Sequence, residues 1–271
     1  NETKLDKPAK AYAGWSGTLT KPKALKNLLS GGWLGHQLHP MLTDLPIGAW
    51  GAATFLDLTA GEKGAAAAQR LVGAGLLATV PTAMSGANDY ADTYGAEQRI
   101  GFVHGMTNVM GAGFQAASWL ARRRGNRALG IVLSGVGFGI TSGAAYLGGH
   151  LTLVRGIGVN HTAYHDNVGD WTDVAALDDL TDGTPHKVTA GGVAVVLVRA
   201  GNTVRALSDV CTHAGGPLHE GTVADGCIEC PWHGSRFRLS DGSVERGPAS
   251  VPAPTWEVRV EGGRVAVRSS D

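Results

Sequence analysis

The chain has 271 residues, and 23 lysines and arginines balance 23 aspartates and glutamates. A net charge of zero gives no electrostatic footprint for a nucleic acid or another polyanion, so no nucleic-acid partner is expected. Three cysteines cannot build a disulfide framework, and 41 glycines call for close backbone packing somewhere in the chain.

Residues 1–43 read as a polar arm with six lysines before residue 27 and no apolar core of a cleavable signal. Four apolar runs follow within residues 44–154: LPIGAWGAATFLDLTA (45–60), LVGAGLLATVPTAMSGA (71–87), FVHGMTNVMGAGFQAASWL (102–120) and ALGIVLSGVGFGITSGAAYLGGHLTLV (128–154). A bilayer core asks for about 20 such residues per helix. A soluble bundle would need a polar face on each run, which runs three and four lack. The pattern predicts a membrane all-α four-helix bundle, with Pro81 kinking the second helix.

Four spans put both ends on one side of the bilayer. Residues 61–70 and 121–127 hold Lys63, Arg70, Arg122, Arg123, Arg124 and Arg127 against Glu62, while residues 88–101 hold Asp89, Asp92 and Glu97 against Arg99. The positive-inside rule then places the basic segments in the cytoplasm and both termini outside. ARRRGNRALGIVLSG adds a weak likeness to a twin-arginine signal, while the lysines of the arm oppose this orientation.

After a connector (155–170) the composition changes. VAVVLVR (193–199), TVRAL (203–207), WEVRV (256–260) and RVAVR (264–268) are short β-branched runs separated by glycine turns, which predicts a small all-β antiparallel domain over 171–271. Within it, Cys211-x-His213 is followed after sixteen residues by Cys230-x2-His233. Two such pairs on opposed loops suit zinc, and equally a [2Fe–2S] cluster with two cysteines on one iron and two histidines on the other. The small residues after each pair, and the lack of a following helix, favour the cluster.

CTHAGG and CPWHGS resemble the two cluster-binding boxes of Rieske proteins, and the resemblance covers roughly residues 170–270. It implies that Cys211 and Cys230 bind the inner iron and His213 and His233 the outer one. Ser235 would then donate a hydrogen bond to a bridging sulfide. In cytochrome bc relatives a disulfide joins the two loops at the positions of Gly216 and Trp232, and a tyrosine replaces Phe237. The boxes here look more like the ferredoxin and oxygenase branch, so the midpoint is expected in the lower part of a family span of about −150 to +300 mV. Cys227 reads as a buried strand residue. Only about forty residues follow His233, too few for the mononuclear-iron domain of an oxygenase.

HPMLTDLPIGAW (39–50) and SGANDY (85–90), with the histidine opening the third span, resemble a bacterial membrane-domain family of uncharacterised function. His39 with His104 is the first candidate pair for a haem b, with His36 and His150 as alternates, and nearby glycines would leave room for the porphyrin. Asp57 receives no role. The function expected from the sequence is one-electron transfer by a membrane-anchored iron–sulfur protein, with a redox protein or a membrane complex as partner. Quinol oxidation and an accessory role in a respiratory complex are the alternatives, with quinone a possible ligand.

Overall fold

The computed structural model, which describes residues 3–270, folds the stretch from Asp6 to Leu153 into six α-helices among the described residues. They are α1 (Asp6–Leu19), α2 (Lys23–Ser30), α3 (Leu38–Thr59), α4 (Gly61–Tyr90), α5 (Gly95–Arg123) and α6 (Arg127–Leu153). The expected count of four is therefore low. The four apolar runs are the centres of α3 to α6, and the polar arm supplies α1 and α2. α4 runs unbroken through Pro81. The chain divides into two units, residues 1–21 with 37–157 and residues 22–36 with 158–271.

In the first unit α3 pairs with α4 and α5 with α6. Small residues let the helices close in: a Cβ added at Gly111 of α5 would lie 2.4 Å from Thr141 Oγ1 of α6. The segments 61–70 and 121–127, read as basic loops, are largely helical. α3 and α4 are separated by Ala60 alone, and Arg122 and Arg123 close α5. Among the described residues only α6 is both long and apolar enough to count as a membrane span on composition. The other long helices fall short because polar residues interrupt them, among them Asp44 and Asp57 in α3 and His104, Asn108 and Gln115 in α5. α1 packs on the same unit through Tyr90 Oη, which donates to Ala9 O at 2.9 Å, and through an Arg99–Asp6 ion pair at 2.9 Å.

Among the described residues the second unit holds ten strands. β1 (Thr172–Ala176), β2 (Pro185–Ala190), β3 (Val193–Ala200), β4 (Thr203–Ser208), β9 (Thr255–Glu261) and β10 (Arg264–Ser269) form an antiparallel sheet in the order β1-β10-β9-β4-β3-β2. β5 (Thr222–Ala224), β6 (Cys227–Glu229), β7 (Arg236–Arg238) and β8 (Val244–Arg246) form a second sheet in chain order. β3 is the shared wall. Its period of two sends Val195 and Leu197 into one core with Trp256, Val265 and Val267. Val196 and Val198 go into another with Cys211, Leu218, Ile228, Cys230 and Phe237. That second core is the floor of the candidate site. α2 belongs to this unit, against β8.

Candidate metal centre

The two Cys–His boxes fold into matching loops. Cys211 N–H donates to Gly216 O at 2.8 Å and Gly215 N–H to Cys211 O at 2.9 Å; in the second loop Cys230 N–H donates to Ser235 O at 2.8 Å and Gly234 N–H to Cys230 O at 3.1 Å. Each loop closes through a glycine four residues after its cysteine, with φ of 77° at Gly215 and 69° at Gly234. A side chain there would meet the left-handed penalty, which is why both boxes carry glycine at that place. The closure turns backbone amides toward sulfur: those of His213 and Ala214 toward Cys211, and those of Trp232 and His233 toward Cys230.

The loops bring the four side chains together as two pairs. The thiols of Cys211 and Cys230 share a hydrogen bond in which Cys211 donates, so that the Cys211 pKa is raised and the Cys230 thiol is pushed down to about 7. The imidazoles of His213 and His233 lie with ring centres 4.8 Å apart. Nδ1 of His213 is buried without a hydrogen-bond partner, and burial pushes its imidazole pKa down to about 3, so the ring is a neutral base with an unused lone pair. A buried orphan of that kind suits a metal bond. Among the described residues no three His, Cys, Asp or Glu side chains converge on one ion. A thiol pair and an imidazole pair fit two irons better than one tetrahedral zinc.

The surrounding groups are placed by the second core. Ser235 is fully buried, and its Oγ accepts from Ala249 N–H at 3.0 Å, which leaves its own O–H to donate. Phe237 is also fully buried, with no hydroxyl to offer. A Cβ at Gly216 would come within 2.8 Å of Cys230 Sγ and 3.1 Å of the Trp232 ring, so the indole fills the space beside this glycine. Cys227 is buried in β6, apart from the boxes.

Three neighbours were not evident from the sequence. Asp209 is buried and clamps the turn after the first box, accepting from His219 N–H at 2.7 Å and meeting His219 Nδ1 at 2.6 Å. His161, in the segment read as a connector, lies beside the first box: its backbone N–H donates to Thr212 O at 3.1 Å. The third is Lys26 of α2, 4 % exposed. None of the three stands in a motif, and each reaches the site through the fold.

In the first unit His39 and His104 come together, with ring centres 6.4 Å apart and planes at 88°. Nδ1 of His39 meets Thr82 O at 3.0 Å and Nδ1 of His104 meets Ala144 O at 2.8 Å, while Asn108 Nδ2 lies 3.2 Å from His104 Nε2. The glycines expected to make room for a porphyrin seat the imidazoles themselves: added Cβ atoms would lie 2.7 Å from His39 at Gly86 and 3.1 Å from His104 at Gly148. His36 falls in the other unit, and His150 sits in the last turn of α6. Asp57 is not a stray charge. It is buried in a two-pronged pair with Arg122, at 2.5 and 3.0 Å, with Arg127 at 3.6 Å.

Comparison with known proteins gives two family matches. The Rieske [2Fe-2S] domain matches residues 170–257, and a family described as a predicted membrane protein (DUF2231) matches residues 35–161. The anthranilate 1,2-dioxygenase ferredoxin subunit of Burkholderia cepacia is 31% identical over 37% of this chain and 93% of its own length. Ferredoxin CarAc of Metapseudomonas resinovorans is 39% identical over 36% of this chain and 92% of its own length. A solved structure, the ferredoxin of carbazole 1,9a-dioxygenase from Nocardioides aromaticivorans IC177, is 33% identical. It aligns over 38% of this chain and all of its own, with a TM-score of 0.37.

Proposed function

We propose, for a chain that belongs to the Rieske [2Fe–2S] family, that it is a membrane-anchored carrier of single electrons. Cys211 and Cys230 would hold the inner iron of the cluster, and His213 and His233 the outer one. The observation that carries this is the pairing of the four side chains, thiol facing thiol and imidazole facing imidazole, with amides aimed at the sulfurs. A bound cluster supplies one-electron chemistry at a potential set by its ligands and the hydrogen bonds around them. The protein's part is to orient those ligands, to aim N–H and O–H donors, and to exclude water from the inner iron with the Phe237 core.

The similarity to ferredoxin subunits supports a redox protein as partner. Docking to a respiratory membrane complex, and quinol oxidation, rest on less: neither the loop-bridging cysteines nor the tyrosine is present. For the membrane unit we propose a multi-pass anchor in the bacterial inner membrane with the Rieske domain on the extracytoplasmic face. Purified full-length protein is expected to contain two irons and two acid-labile sulfides and to give a Rieske-type EPR signal on reduction. Stoichiometric zinc without sulfide would sink the reading.

A haem b on His39 and His104 is a second reading, favoured by one distance. Two imidazoles bound to opposite sides of one metal ion have ring centres about 6 Å apart, near the separation found. Carbonyl partners on both Nδ1 atoms also suit metal-bound imidazoles. A Soret band that disappears in H39A and in H104A is the expected result, and a spectrum of the cluster alone removes this reading.

A further inference from the structure

Residues 3–21 precede the matched membrane family, which begins at residue 35, yet they pack in the first unit with α3 to α6. α1 divides its surface into three stripes at helical spacing. Asp6, Ala9, Ala13 and Ser16, with Thr20 just beyond the helix, form a buried stripe. Pro8, Tyr12, Trp15 and Leu19 step along a second one, where Trp15 is 58% and Leu19 52% exposed. Lys7 and Lys10 begin a third, which Gly14 and Gly17 continue and Lys21 ends.

The buried stripe is fastened where α4 ends and α5 begins. Its partners Tyr90 and Arg99 are the last residue of α4 and a residue in the second turn of α5. From there Tyr12 stacks on Trp15 with ring centres 5.7 Å apart, meets Tyr90 at 5.1 Å and lies edge-on to Phe102 at 6.3 Å. Phe102 leads at steps of four and three to Met106 and Val109, both exposed on α5. The aromatic stripe of α1 thus continues the outer apolar surface of the bundle. Asp6 is the one acid in residues 3–21, and it is turned inward onto Arg99. The charges that α1 presents outward are therefore cationic: Lys4, Lys7, Lys10 and Lys21 are exposed.

We propose that α1 is an interfacial helix bound to a bilayer surface with anionic headgroups. Tyr12, Trp15 and Leu19 reach the acyl-chain boundary, and Lys7 and Lys10 meet lipid phosphates. Amphipathic rings and long ammonium side chains each satisfy both halves of such a boundary, with the apolar part in the chains and the polar tip among the headgroups. A purely aqueous surroundings would leave the aromatic stripe hydrated, and a purely apolar one would strand the lysines. The inference rests on the proposed membrane anchor, and it makes residues 3–21 a working part of the membrane domain.

The test uses the full-length protein reconstituted into vesicles of phosphatidylcholine and phosphatidylglycerol. A fluorophore is placed on Trp15→Cys or Leu19→Cys, both exposed positions in a chain whose native thiols are buried. Lipids carrying a nitroxide near the headgroup are expected to quench the label at both positions. The nitroxide on phosphatidylglycerol is expected to quench about twofold more strongly than the same group on phosphatidylcholine, and K7Q/K10Q to remove that preference. Absence of lipid quenching at either position overturns the inference, whether water, a second copy or a redox protein covers the stripe instead. Equal quenching by the two lipids in the protein with both lysines overturns it as well. Protein that alkaline carbonate strips from the vesicles would instead remove the membrane reading.

Discussion

Single atoms decide how tightly the site is built. At Gly216 the missing Cβ is what lets Cys230 Sγ sit where it does, because a methyl there would fall 2.8 Å from the sulfur. G216A is therefore expected to fold but to lose most of its cluster, measured as iron per polypeptide after purification. Ser235 is a second such atom. Its oxygen accepts from Ala249 N–H, which leaves its proton to donate. Removing that donor costs about 1 kcal/mol of preference for the reduced state, so S235A is expected to lower the midpoint by about 40 mV. Phe237 points the same way, since an aromatic ring without a hydroxyl adds no donor. A wild-type midpoint near the top of the family span would show that these donors do not set the potential.

Elements are tied by charges that the sequence shows only as isolated letters. Lys23 on α2 bonds Glu245, which Arg238 also holds, and together they keep that carboxyl low, at about 2. A depressed carboxylate contributes stability above its unfolded pKa of 4.5, and the contribution is lost as pH falls toward 2. Hydrogen-exchange protection of the α2 amides is expected to hold from pH 8 to about 5 and to drop below about 4. In E245Q the protection should be weaker at pH 7, with that acid step gone. In the other unit, Asp57 of α3 and Arg122 of α5 are buried together. D57A leaves a buried guanidinium unanswered and is expected to cost about 3–5 kcal/mol of stability, read as a lower melting temperature, whereas D57L/R122M should recover most of it. The Cys–His boxes were legible because each ligand pair lies within one short loop. Neither charge tie was, because 65 residues separate Asp57 from Arg122 and 222 separate Lys23 from Glu245. Strands β5 to β8 went unread for another reason: three residues are too few to show a period of two.

At the scale of the molecule, the first unit is turned inside out relative to a soluble bundle. Gln115, Ser118, Ser134 and the Asp57–Arg122 pair lie inside, bonded to one another or to backbone. Phe55, Leu77, Val109 and Val132, one from each of α3 to α6, are more than half exposed. Large apolar side chains outside and satisfied polar groups inside are what a lipid solvent selects. Among the described residues hydropathy admits only α6, because it averages the polar inner face of a helix with its apolar outer one. Arg122 and Arg127 are both drawn to Asp57, so the basic side of the bundle rests on Lys63, Arg70, Arg123 and Arg124. Side and number of spans can be tested together with cysteines at Glu62, Tyr94, Arg124 and Glu261, since the native thiols are buried. In intact cells an impermeant maleimide is expected to label Tyr94→Cys and Glu261→Cys at once, and Glu62→Cys and Arg124→Cys only after permeabilisation. If α6 alone crosses, positions 62, 94 and 124 must react as one group, with 261 opposite them. If all four helices cross with the Rieske domain inside, the labelling pattern inverts, and the positive charges of the N-terminal arm outweigh those of the turns.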